Sequence, residues 1–132
     1  MKLSKKTLYI LPVLTALGIF LMSSLNFNNS IDLQISFFDK IAHIIIYFLL
    51  TGTILLAFIP NLHNKTTFFI ISITFIIASI YALSDEIHQY FVPYRNFDLN
   101  DWLADIIGII ISLLLYNFWS FVAKQIINKF EL

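Results

Sequence analysis

Residues 84–108, SDEIHQYFVPYRNFDLNDWLADIIG, hold five of the eight acidic residues of a 132-residue chain, one of its three histidines and its only arginine. On either side the sequence is almost wholly apolar: hydrophobic residues make up 59% of the chain and charged ones 12%. Soluble domains carry about 25% charged residues. A chain this small buries only part of its surface on folding, so in water it would expose apolar patches that soluble monomers avoid. Lipid is the solvent that fits. The polar stretch is expected at one membrane face, with the function located there.

Working outward, residues 7–25, 41–59, 66–83 and 102–122 form four mostly apolar runs. Each has roughly the 20 residues that cross about 30 Å of hydrocarbon as a helix. The expected fold class is therefore all-α: a single-domain polytopic membrane protein, a four-helix transmembrane bundle with both termini on one side. Lys2, Lys5, Lys6, Lys65, Lys124 and Lys129 fall on the terminal side, against Lys40 and Arg95 on the other. The positive-inside rule then gives an N-in, C-in orientation with the acidic stretch outward. The first run is longer than a leader's apolar segment, and its small-x-small site, Ala16-Leu17-Gly18, lies within it, so a span is expected rather than a cleaved leader. Pro12 is expected to kink that span, and residues 26–38 to form a polar loop. Pro60-Asn61 reads as a stop, residues 62–65 as a tight connection between antiparallel neighbours, and Pro93 as the end of a third helix that outruns the hydrocarbon. Trp102 and Trp119 would lie roughly 26 Å apart along one helix, in two interfacial belts.

Several function classes are excluded or disfavoured. With no cysteine, disulfides, thiolate zinc sites and cysteine nucleophiles drop out. No HExxH, GxSxG or P-loop names a reaction. The span centres lack ionisable groups, which argues against a coupled transporter. The basic residues flank the membrane, which argues against nucleic acid.

Asp39, Lys40 and His43 open the second span, 85–89 end the third, and 98–105 open the fourth, all at the same surface. Asp39, His43 and Tyr47 recur every four residues, as do Asp101 and Asp105 with Gly108 three further on, and Asp85 shares a face with His88 and Gln89. Structural readings stand beside functional ones: Asp98, Asp101 and Asp39 suit helix N-caps, and His63 reads as a solvated loop residue. His43 and Asp105 fall about one turn inside their spans, where an uncompensated carboxylate costs several kcal/mol. They need partners, and an ion-pair network with Lys40 and Arg95 locking the helices together is the structural account. With Asp32, Asp85, Glu86 and the other acids of this side, the negative surplus invites a cation, a proton or a cationic ligand.

The runs DKIAHIIIYFLLTG (39–52) and SDEIHQYFVPYRNFDLNDWLADIIG resemble the VanZ-like family of small bacterial membrane proteins, named for an accessory teicoplanin-resistance protein. The resemblance covers residues 39–116. Its pattern falls on Asp39, Lys40, His43, Tyr47, Ser84, Asp85, Glu86, His88, Gln89, Pro93, Arg95, Asp98, Asp101, Asp105 and Gly108. It implies a multi-pass protein of the bacterial cytoplasmic membrane, linked to the cell envelope. Two functions are weighed. In the first, an enzyme acts on a lipid-linked or peptidoglycan-related substrate. His43 or His88 is the base, and Glu86 and Asp105 orient it or share a divalent metal. Arg95 and Lys40 hold an anionic head group, with Asp39, Tyr47, Asp85, Gln89 and Asp101 as further ligand contacts. In the second, the same pocket binds an envelope or glycopeptide-related ligand without catalysis. Histidine and carboxylate ligands suit zinc, manganese or iron.

Overall fold

The computed structural model describes residues 4–25, 33–93 and 95–130. Lys2, Asp32 and Glu131 lie outside the described residues. A 3-10 turn, Lys5–Tyr9, leads into α1 (Ile10–Ser23), followed by α2 (Leu33–Asn61), α3 (Thr67–Tyr90), α4 (Leu99–Leu114) and α5 (Tyr116–Phe130); the described residues contain no strand.

Local chemistry sets the ends. Pro12 falls in the first turn of α1, where its missing N–H costs least, so the expected kink is replaced by the change from 3-10 to α geometry just before it. The second helix starts at Leu33 rather than near residue 41, so residues 33–38, expected in a loop, are helical. Asn61 closes α2: its side-chain amide donates to the Ala57 carbonyl at 2.8 Å and to the Lys5 carbonyl at 3.0 Å. Thr66 caps α3 through the Phe69 N–H. That helix runs to Tyr90, as the approach of Pro93 predicts. Asp98 caps α4, its carboxylate accepting from the Asn100 N–H at 2.8 Å.

Every other helix packs on α2, and α4 does so most extensively. The close approach requires small residues. The buried face of α4 is Asp101, Ala104, Asp105, Gly108, Ile109 and Ser112, a repeat of three and four residues. At Gly108 a Cβ would fall on the Ile44 carbonyl oxygen and lie 3.1 Å from the Ile44 Cα. Small side chains let helix backbones meet in the same way in many membrane proteins.

The distribution of polarity is inverted relative to a soluble domain. Phe68, Phe91 and Leu114 are 81%, 75% and 79% exposed, whereas Glu86 and Asp105 are 0% exposed. Such an arrangement is stable only with hydrocarbon outside. Three helices, Lys5–Ser23, Phe38–Asn61 and Thr67–Tyr90, are long and apolar enough to cross a membrane.

The expected straight fourth span is two helices, α4 and α5, bent by 66°. At the break Leu115 sits at φ −89°, ψ 25°, and its N–H is shared between the Ile111 and Ser112 carbonyls. Neither proline nor glycine marks the point. The bend directs α5 onto α2, where Trp119 fills the notch over Gly52 and stacks at 5.6 Å from Phe48. Trp119 is therefore 8% exposed and part of the core, not an interfacial belt residue.

Candidate functional site

The last turn of α1, the start of the α2 span, the end of α3 and the start of α4 meet at one end of the bundle. Tyr81 ties α3 to α1 by donating its hydroxyl to the Ala16 carbonyl at 2.6 Å. Successive turns then lay down polar groups in two layers, because residues four apart share a helix face.

The deeper layer joins three helices. His43 Nδ1 donates to Asp105 Oδ1 at 2.8 Å, which leaves Nε2 of a neutral ring as the acceptor. Glu86 Oε2 accepts the Asp98 backbone N–H at 3.2 Å. One ligand-type atom from each of His43, Glu86 and Asp105 lies within 4.8 Å of the others, and all three residues are buried. Glu86 Oε1, Asp105 Oδ2 and the Tyr47 hydroxyl are buried without a hydrogen-bond partner among the described residues.

The outer layer is an ion-pair group. Lys40 Nζ lies 2.7 Å from Asp101 Oδ1 and 3.5 Å from Asp98 Oδ2. Asp39, His43 and Asp101 form a second set of atoms within 4.8 Å of one another. The Asn100 N–H, with Lys40 beside it, holds the Asp98 carboxyl below its ordinary value of 3.8. Thus the structural account holds in part: Lys40 does lock α2 to α4. Arg95 instead reaches α1, donating to the Ser23 carbonyl at 3.3 Å.

Beside these layers runs a cleft of about 100 Å³ lined by both polar and apolar groups. His43, Tyr47, Asp85, Gln89 and Arg95 are its polar lining, and Ile19, Met22 and Ile46 are apolar lining. Gln89 is held one turn along α3 by donating to Asp85 Oδ2 at 3.2 Å.

The sequence-read site thus divides. His43, Glu86 and Asp105 come together, with Tyr47, Asp85, Gln89 and Arg95 around the adjoining cleft and Asp39, Lys40 and Asp101 in the layer above. His88 does not join them. Its Nε2 is 3.0 Å from the Ser24 hydroxyl, and its ring stacks 4.6 Å from Phe20. Because Ser24 spends its only proton on the Phe20 carbonyl at 2.6 Å, His88 is the donor in that pair. The contribution of α1 escaped the sequence reading, since its lining residues are ordinary apolar ones; the Ser23-Ser24 pair closing the first run is the one polar signal there.

A family model described as VanZ/LLP1 matches residues 3–120, so the match extends over the first span as well as the two motifs. An uncharacterized protein of Schizosaccharomyces pombe is 32% identical over 78 residues, covering 58% of this chain and 45% of that protein. The match therefore spans under half of that relative. No solved structure matches the chain.

Proposed function

We propose that this chain, which belongs to the VanZ/LLP1 family, is a membrane enzyme that draws the polar head of an amphiphile into the cleft and acts on it through His43, Glu86 and Asp105. The observation that carries this reading is the 2.8 Å contact of His43 with Asp105 beside a cleft lined by both polar and apolar groups. A carboxylate on Nδ1 fixes the tautomer and ring orientation, so that Nε2 accepts a proton from water or a substrate hydroxyl. Arg95 keeps donors free after its bond to Ser23, and a guanidinium suits an anionic head group. The apolar lining, Ile19 and Met22 of α1 with Ile46 of α2, takes the start of the lipid tail.

The substrate class is lipid-linked, with a peptidoglycan-related or glycopeptide-related ligand as the narrower case. A relative in a yeast favours the lipid-linked class, since yeasts build no peptidoglycan. The setting is the bacterial cytoplasmic membrane, with the site on its outer face, contributing to the cell envelope. Non-catalytic binding is the second reading, favoured by one observation: the Ser23 hydroxyl donates to the Phe20 carbonyl and is not poised as a nucleophile.

The test is complementation of a deletion strain followed by profiling of its lipids and muropeptides. Wild type restores the profile, and His88→Ala, whose ring serves the α1–α3 contact, restores most of it. His43→Ala inserts but leaves a precursor accumulated. A His43→Ala strain with a normal profile rejects the catalytic reading, and an Arg95→Ala strain with a normal profile rejects the anionic head group.

A further inference from the structure

We infer that His43, Glu86 and Asp105 form a binding site for one divalent metal ion of the zinc or manganese class. The inference rests on the functional reading above for its location, and it names the cofactor of that same site. The three residues come from three different helices, α2, α3 and α4. Their ligand atoms lie within 4.8 Å of one another, and all are buried.

The second observation is independent of that clustering. Among the described residues Glu86 Oε1 and Asp105 Oδ2 have no hydrogen-bond partner, and both residues are 0% exposed. A buried charged oxygen without a donor is strongly disfavoured. Lys40 cannot supply the charge, because it is engaged by Asp101 and Asp98 in the layer above. A divalent ion would balance two carboxylates beside a neutral imidazole and would remove the need for separate donors to the carboxylate oxygens. One nitrogen and two carboxylate donors suit zinc or manganese. Three protein ligands leave a position open, as in catalytic rather than structural zinc sites. His43 also lines the cleft, so an ion held by this group adjoins the bound head group. An ion there would be held by His43, Glu86 and Asp105 and would supply an acidified water, so that His43 would serve as a ligand rather than as the base.

The experiment uses the full chain in detergent, stripped with a chelator and then given Zn²⁺ or Mn²⁺ alone. Metal content is read by mass spectrometry and affinity by the thermal shift. Wild type is expected to retain one ion per chain and to show a saturable shift. His43→Ala and Glu86→Gln are each expected to weaken binding by at least about tenfold, the loss seen even for residues that only support a metal's ligands. Glu86→Gln retains an oxygen for the Asp98 N–H and so preserves the fold. His63→Ala, an exposed histidine in the loop that follows α2 at the other end of the bundle, is expected to bind as wild type does. No retained ion and no saturable shift in the wild type overturns the inference, as does unchanged affinity in Glu86→Gln or an equal loss in His63→Ala. If no ion binds yet His43→Ala still fails to complement, the metal site falls and the functional reading stands. If the ion binds and His43→Ala complements fully, the reverse holds.

Discussion

Asp105 and His43 make a single unit, and their substitutions are expected to be strongly non-additive. Asp105→Ala leaves the His43 Nδ1–H buried and unpaired, a loss of about 1–3 kcal/mol. His43→Leu with Asp105→Leu removes both partners and is expected to recover much of it. Unfolding in detergent measures this, and a double variant no more stable than the single one contradicts the pairing. Asp98 gives a smaller effect that depends on pH. Its carboxyl is held below its ordinary 3.8 by the Asn100 N–H and then by Lys40, so its contribution is fully present above that value and is lost as the pH falls through the lowered one. Asp98→Ala is expected to cost about 1 kcal/mol at neutral pH, as an N-cap does, and the difference from wild type is expected to vanish in acid below the carboxylate range. A constant difference across that range rules out the cap. Most of these residues were legible in the sequence, because charges at four-residue spacing inside apolar runs demand partners. Which partner each takes was not legible. That choice depends on helix rotation, and it gave His88 to Ser24 and Asp105 to His43.

At the scale of the helices, the α2–α4 crossing depends on Gly108. A Cβ there meets the Ile44 backbone, whereas one at Gly18 meets nothing within 4 Å. Gly108→Ala is expected to destabilise by about 1–3 kcal/mol through overpacking, and Gly18→Ala to stabilise by roughly 0.5–1 kcal/mol through helix propensity. Thermal unfolding in the same detergent compares them, and equal effects contradict the packing. The four apolar runs were readable from length and composition alone. The break at Leu115 was not, because no glycine or proline stands there and the cause is tertiary. Trp119 fits the notch at Gly52 only if the chain turns. Gly52→Ala is therefore expected to expel Trp119 and raise its accessibility to a water-soluble fluorescence quencher; unchanged quenching contradicts that account of the bend.

For the whole molecule, the absence of cysteine allows sidedness to be read from single introduced thiols. Asn64→Cys and Asn96→Cys lie at opposite ends of α3, and the excess of lysine at the Asn64 end predicts that this end faces the cytoplasm. An impermeant thiol reagent added outside intact cells is expected to label Asn96→Cys and spare Asn64→Cys; the opposite pattern inverts the topology. Composition alone selected lipid as the solvent, and the structure adds that the apolar exterior surrounds a polar interior contributed by three helices. The account depends on that convergence. It is tested most directly by solid-state NMR of the protein in lipid bilayers, measuring the coupling between histidine ring nitrogens and aspartate carboxyl carbons. The prediction is a strong dipolar coupling that fits the 2.8 Å contact of His43 Nδ1 with Asp105, present in the wild type and lost in Asp105→Asn. A wild-type spectrum without that coupling, or one that survives in Asp105→Asn, contradicts it.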